Sequence, residues 1–390
     1  MNEHKAVPNI RFEGFEDEWE EKKFSTLVNR KSHITSDSSL LSVEYENISP
    51  DNHEIHKNFN NKKGIFFQKG DILFGKLRPY LKKYVLAFYE GKAVGDFWVL
   101  SPKKDIYSRF AFYLIQTHKF YMVSNLSSGT KMPRSDWNLV SNSFFYVCNI
   151  EEQQKIGNFF AKLDKLLDLQ QQKIDKLELL KKTLLQKLFP KHDAKVPELR
   201  FKGYYQEWEE KKFSSLYKKC NEKNNLSFGS NKIISVANMY YKKDNVKSDD
   251  NYMRTYNIFR LGDIAFEGNK SKKFTFGRFV ENTIGDGIVS HVFEVFRPIS
   301  NGDITYWKYA IHNEDFIAPV LMKSTVKATM MNNLIAKDFL KQQVPVPQLS
   351  EQQKIGNLLS KVDQLIELEN KKLQNFQQVK KCLLQNMFVE

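Results

Sequence analysis

Gly70-Asp71-Ile72-Leu73-Phe74-Gly75-Lys76 has the glycine and lysine spacing of a loop whose backbone amides wrap a phosphate. Such a loop needs a following Ser or Thr to hold magnesium, and Leu77 stands there instead. The apolar run Ile72 to Phe74 reads as a strand. Asp71, Glu90 and Lys92 match the residue types of a metal-dependent nuclease, in which two carboxylates bind magnesium and a lysine orients water. Glu90-Gly91-Lys92 reads better as a hairpin turn, and in a chain with 27% charged residues such spacings arise by chance. His53 and His56 lack a third ligand at a fixed spacing and read as a solvated loop. No Pro-Pro occurs, so the motif associated with gripping the amino group of a flipped adenine is missing. No catalytic centre and no metal site is predicted.

Binding chemistry is better represented. Sixty Lys and Arg against forty-six Asp and Glu give a net charge of +14, which favours a polyanionic partner. From Lys62 to Lys104 ten basic residues face three acidic ones, interleaved with Phe66, Phe67, Tyr80, Tyr84 and Trp98. Within that stretch Lys76, Arg78, Tyr80, Lys82 and Lys83 are the predicted DNA contacts, because Lys and Arg neutralise phosphates and Arg grips guanine edges bidentately. Ser128, Thr130, Lys131 and Arg134 add short hydroxyls and charges suited to phosphates. In the second half of the chain Asn269, Lys270, Lys272, Lys273 and Arg278 form a comparable knot, with Lys323 and Lys327 beyond it. A solvated strand face is the alternative reading for the first cluster, and an ordinary charged turn for the others.

A membrane surface is the competing polyanion. No run of eighteen apolar residues exists and Met1 to Phe12 lacks the apolar core of a signal peptide. Cys148, Cys220 and Cys382 are odd in number and widely spaced, as reduced thiols are. A cytoplasmic protein without membrane contact is expected.

The elements that position these residues are written twice. Val7 to Leu27 returns as Val196 to Leu216 with fourteen of twenty-one residues identical, and Glu152 to Phe189 returns as Glu351 to Phe388 with eighteen of thirty-eight identical, EQQKIGN intact in both. Between the copies, residues 28–150 and 217–349 share little beyond Gly-Asp-Ile at Gly70 and Gly262. The predicted order is a head, a variable α+β domain and a long helix, repeated. In the first variable domain Ile65 to Phe67 and Ile72 to Phe74 read as strands, Tyr84 to Tyr89 as a hairpin with Ala93 to Leu100, and Ile106 to Val123 as a helix. Asn149 and Ser350 are the expected caps of the two long helices.

Apolar residues in those helices fall in heptad rows: Ile156, Leu163, Leu177 and Leu184; then Phe159, Leu166 and Leu180; then Phe160, Leu167, Ile174 and Leu188, with equivalents in the copy. Each stripe needs a long apolar partner, and the other helix is the simplest one. Gln170 and Lys173 interrupt the first seam, Glu369 and Lys372 the second, which allows Lys173 and Glu369 to meet mid-seam whether the pair is parallel or antiparallel; solvated polar positions on a slightly mis-phased stripe are the alternative reading. A rod of about 57 Å exceeds the roughly 34 Å of one DNA turn, long enough to space two readers.

Head, variable domain and EQQKIG helix in duplicate, with strings such as GDILFGKLRPYLKK from Gly70 and PVPQLSEQQKIGN from Pro345, resemble the specificity subunits of Type I restriction-modification enzymes over the whole chain. The resemblance implies an α+β fold: two pseudo-symmetric target recognition domains joined by two long antiparallel coiled-coil-like helices. The expected boundaries are 1–150 for the first domain with its head, 151–190 for the central helix, 191–349 for the second domain with its head, and 350–390 for the other helix. It further implies a non-catalytic, sequence-specific DNA-binding subunit that reads a bipartite site and directs adenine methylation and restriction by partner subunits. Two methyltransferase subunits and restriction/translocase subunits are the implied protein partners. S-adenosylmethionine, ATP and magnesium would belong to those partners, with no cofactor in this chain. The variable domains of this family diverge, so no base-reading residue carries over by motif. A coiled-coil scaffold without DNA contact and a stand-alone metal-dependent nuclease are the alternatives.

Overall fold

The computed structural model describes residues 6–49, 59–126, 132–191, 194–242, 249–269, 274–327 and 331–390. It divides into two compact units, one comprising Met1–Lys173 with Glu369–Glu390, the other Ile174–Leu368.

In the first unit the chain runs through β1 (Glu20–Lys23), a single turn α1 (Phe24–Leu27), β2 (Val28–Lys31), β3 (Ile34–Thr35), β4 (Leu41–Val43), β5 (Gly64–Phe67), β6 (Ile72–Gly75), β7 (Tyr84–Leu86), β8 (Gly91–Ala93) and β9 (Phe97–Pro102). Three short helices, α2 (Ser108–Leu114), α3 (His118–Asn125) and α4 (Trp137–Asn142), and β10 (Phe144–Val147) precede the long helix α5 (Ile150–Lys187). One sheet has the order β2-β9-β6-β7 and another β3-β5-β8-β4. The first is apolar on both faces: Ile72, Phe74, Trp98 and Leu100 pack against α2 and α3, while Leu73, Val85, Phe97 and Val99 pack towards the second sheet. That double burial is why these strands read as continuous apolar runs rather than alternating ones.

The second unit repeats the plan with β11 (Glu209–Lys212), α6 (Phe213–Leu216), β12 (Tyr217–Cys220), β13 (Ile234–Ser235), β14 (Tyr240–Tyr241), α7 (Asp250–Met253), β15 (Asn257–Phe259), β16 (Ile264–Glu267), β17 (Arg278–Glu281), β18 (Gly287–Val289) and β19 (Glu294–Pro298). Next come α8 (Ile304–His312), α9 (Glu314–Ser324), β20 (Thr325–Lys327), β21 (Asn332–Leu334), α10 (Ala336–Lys341), β22 (Gln343–Val346) and the second long helix α11 (Leu349–Asn386). Its main sheet, β12-β19-β16-β17, matches β2-β9-β6-β7 strand for strand.

Several expectations need correction. Tyr84 to Tyr89 does not pair with Ala93 to Leu100: β7 pairs with β6, and β8 lies in the other sheet against β5 and β4. Gly91 and Lys92 are therefore strand residues, not a turn. Ile106 to Val123 is two helices, broken where Thr117 accepts the Phe120 amide and caps α3. Asn149 caps α5 through the Glu152 amide at 2.9 Å, as expected, but α11 already begins at Leu349, and the Ser350 hydroxyl meets Tyr204 instead.

Within the first unit α5 and α11 run antiparallel, since Asp164 pairs with Lys380 at 2.6 Å and Gln170 with Glu369 at 2.7 Å. The second unit has the equivalent pair, Lys181 and Asp363, at 2.6 Å. The helix seams follow alternating steps of four and three residues, Ile156-Phe160-Leu163-Leu167-Gln170-Ile174-Leu177-Lys181-Leu184-Leu188 and the same positions of α11.

Candidate nucleic-acid interface and the frame that carries it

The residues shared by the two copies are fasteners. Arg11 in the first head grips Glu152 at the start of α5 with two bonds of 2.8 and 2.9 Å, and Arg200 grips Glu351 at 2.7 and 2.9 Å. Both carboxylates are buried, and each arginine is held in its charged form by the bond to that carboxylate, against the cost of burial. Gln153 accepts the Tyr107 amide and Gln352 the Asp303 amide, tying each variable domain to its helix. Gly157 and Gly356 follow because a Cβ would lie 2.9 Å from the Phe110 nitrogen in one unit and 2.8 Å from the Tyr306 nitrogen in the other. EQQKIGN is thus the clamp between head, variable domain and helix.

Tyr113 donates to Asp164 and Tyr309 to Asp363, each at 2.7 Å, beside the Lys380 and Lys181 ammonium groups that neutralise those carboxylates. At mid-seam Glu369 receives Gln170, Lys173 and Lys372, and these bonds pull its carboxyl down to about 2. Lys173 meets Glu369 at 3.0 Å as expected, although it reaches in from the flank instead of occupying the seam.

Gly-Asp-Ile is a shared turn. Gly70 (φ 92°) and Gly262 (φ 83°) are left-handed, and the Asp side chain behind each accepts a backbone amide, Gln68 at 2.7 Å and Arg260 at 2.8 Å. Asp71 is also paired with Lys31 at 2.6 Å, and Lys92 is fully buried with its ammonium on the Asp37 and Asn60 carbonyls, so these residues serve the fold. Ile72 to Gly75 form strand β6, and the Gly75 amide bonds Lys83 O at 2.7 Å rather than facing a phosphate. Among the described residues no group of three His, Cys, Asp or Glu side chains is placed to hold a metal. His53 and His56 lie outside the described residues.

Among the described residues, the predicted DNA contacts Lys76, Arg78, Tyr80, Lys82 and Arg134 converge on one loop system. Lys76 and Arg134 both reach Asp96, at 3.7 and 3.1 Å, and Leu77 bridges Arg134 through the backbone. Arg78 is half-buried at the base of a 3-10 turn, Pro79–Leu81, with Tyr80 exposed at its tip. Lys82 is exposed over the Tyr121 ring at 5.9 Å. Lys83 points the other way, its ammonium on the Ile48 carbonyl and over the Tyr45 ring. Ser128, Thr130 and Lys131 lie outside the described residues.

In the second domain Arg278 is bonded to Glu267 at 2.6 Å and to Ala237 O at 3.0 Å, and Asn269 leans on Glu267 at 3.4 Å. Lys323 and Lys327 are exposed at the end of α9 and in β20. Lys270, Lys272 and Lys273 lie outside the described residues. Sequence reasoning missed a cleft of about 710 Å³ in the first unit, where Tyr80, Leu81 and Lys82 face Tyr121, Lys380 and Lys381. The off-seam positions of Lys381 and Gln377 in α11 were the signal available for it.

Two diverged α+β domains, in a chain of net charge +14, hang on one duplicated frame. The chain belongs to the family described as the Type I restriction modification DNA specificity domain, whose model matches residues 16–179 and 205–378. Members of this family are non-catalytic DNA-recognition subunits of restriction-modification complexes, and so is this chain. It is 22% identical over 305 residues to the Type I restriction enzyme MjaVIII specificity subunit of Methanocaldococcus jannaschii, covering 70% of this chain and 68% of that one. In fold it resembles the Type I restriction-modification S subunit from M. genitalium, at TM-score 0.59 and 14% identity, over 98% of this chain and 99% of that one. It also resembles a chain from a study of complex assembly and conformational transition of the type I R-M system, at TM-score 0.57 and 16% identity, over 94% and 96%. Among the described residues no helix is long and apolar enough to cross a membrane.

Proposed function

We propose that each variable domain reads one half of a bipartite DNA site and that the chain directs adenine methylation and restriction carried out by partner subunits. One observation carries the reading: the clamps Arg11–Glu152 and Arg200–Glu351 repeat, while residues 28–150 and 217–349 have diverged. A duplicated frame that preserves its fasteners and varies its payload suits two independent readers. The Lys82 side and the Lys323 to Lys327 segment supply the phosphate-facing charge.

Two methyltransferase subunits are the proposed partners on the helices, with restriction/translocase subunits joining them. Leu166 and Leu169 of α5 with Val379 of α11 in the first unit, and Leu180 with Leu365 and Leu368 in the second, are exposed apolar residues at positions that recur in both copies. The same strip shown twice fits two copies of one partner. Leu166 and Leu180 of the heptad row Phe159-Leu166-Leu180 belong to this exposed strip, while Phe159 packs edge-on against Phe12 of the head at 5.8 Å.

Replacing residues 28–150 with a relative's equivalent and mapping methylated adenines genome-wide tests the reading. One half of the methylated motif changes and the other stays. A motif unchanged, or changed in both halves, refutes two independent readers.

A further inference from the structure

The turn from Arg78 to Lys82 is strained where its neighbours are not. Arg78 (φ 49°) and Lys82 (φ 52°) both occupy the left-handed region that side-chain-bearing residues rarely adopt. Three anchors hold them there. The Arg78 amide donates to Pro133 O at 2.7 Å, the Tyr45 hydroxyl donates to Leu77 O at 2.7 Å, and Lys83 holds the Ile48 carbonyl. Pro79 is buried between them and stiffens the first position of the 3-10 turn. What this fixed backbone presents to solvent is an aromatic and an aliphatic side chain, Tyr80 at 46% and Leu81 at 38% exposure.

The exposed charge in the cleft is positive. Tyr80, Leu81 and Tyr121 share it with the exposed Lys82 and Lys381 and with Lys380, whose ammonium is taken by Asp164 at 2.6 Å, and no Asp or Glu lines the cleft itself. The complementary occupant is negative at short intervals and has flat apolar faces between its charges. Duplex DNA opened at one base step meets that description.

We propose that Tyr80 and Leu81 act as a wedge that enters the duplex and unstacks one base step of the first half-site, with Lys82 on a flanking phosphate. The proposal rests on the reading that the first variable domain contacts DNA. Unstacking costs least at pyrimidine–purine steps, so a wedge confers sequence preference at a position where no side chain hydrogen-bonds a base. Rigidity matters for this task, because a compliant loop would fold back before a stacked pair parted. The three anchors supply it.

The test uses the complex of the full chain with its methyltransferase subunits and duplexes carrying the methylation-mapped motif, with 2-aminopurine placed at each position of the first half-site in turn. Fluorescence rises at one step besides the methylated adenine. In the double variant Tyr80→Ala, Leu81→Ala that rise disappears and cognate affinity falls about 10- to 100-fold, while random-sequence affinity holds. Tyr80→Phe keeps the signal. Circular dichroism confirms that the exposed pair can be removed without unfolding the chain. Unaltered fluorescence in the double variant overturns the wedge, and so does equal loss on cognate and random DNA. Failure of the double variant to assemble with the partner subunits overturns it in favour of a protein-docking tip. The domain replacement distinguishes these from failure of the underlying reading: an unchanged motif after exchange of residues 28–150 means that the first domain does not read DNA at all.

Discussion

Adjacent lysines can have unrelated jobs. Lys83 completes the buried side of the 75–83 loop, so Lys83→Ala should destabilise the first unit by about 1–2 kcal/mol, the worth of a charge-assisted bond and a ring contact, in thermal unfolding. Lys82→Ala should leave unfolding untouched and instead lower the steepness of the salt dependence of DNA binding by about one unit of log–log slope. A larger stability loss from Lys82→Ala than from Lys83→Ala would reverse the assignment. Glu281 poses a different problem. It pairs with Ile264 in β17 as Leu86 pairs with Ile72 in β7, so a carboxyl occupies the place of a core leucine, and one of its oxygens has no partner. Burial pushes the group from 4.5 up to about 9, with Lys308 opposing and Asp303 assisting. The folded form holds its proton where the unfolded chain releases it, so its contribution to stability falls as pH rises from about 4.5 to about 9. Glu281→Gln should flatten that slope and stabilise the second unit at pH 8 by on the order of 2 kcal/mol, read from unfolding temperature against pH. An unchanged pH profile would mean that the carboxylate is already ionised.

At the scale of elements, the close crossing of α2 over α5 and of α8 over α11 depends on one glycine each. Alanine there gains about 1 kcal/mol of helix propensity but meets backbone nitrogen at under 3 Å, and overpacking costs roughly 1–3 kcal/mol. Gly157→Ala and Gly356→Ala should therefore each destabilise their own unit, and a stabilised variant would show that the crossing can widen freely. The glycines were visible beforehand as identities in EQQKIGN, though not their reason, because what they approach lies some fifty residues away in sequence. The same limit explains the misplaced hairpin. Local patterning identifies Tyr84 to Leu86 as a strand, but choosing β6 over the segment after Glu90 is a long-range decision, settled by two sheets sharing one core. Heptad reading found the helices and the Lys173–Glu369 contact because periodicity is local. It assigned Leu166 and Leu180 to the seam although both are exposed, since an apolar position left open and one buried against the other helix look alike in sequence.

For the whole molecule, the equivalence of the two copies extends to what plugs each core. Phe388 sits 5.3 Å from Phe110, near Trp19 and Phe160, and Phe189 sits 5.6 Å from Tyr306, near Trp208 and Phe316. Truncating either to alanine should cost its unit about 3–5 kcal/mol, Phe388→Ala loosening the first and Phe189→Ala the second. Hydrogen exchange resolved by peptide separates the two outcomes, and loss of protection spread evenly over both units would contradict the division. The first unit is thus assembled from two stretches of chain with an entire second unit between them. On the ribosome the order of completion is consequently inverted. The second unit has all its residues before the first receives Met387 and Phe388, and a premature stop shortly before those codons would spare the later-encoded unit while leaving the earlier one without the residues that close its interior.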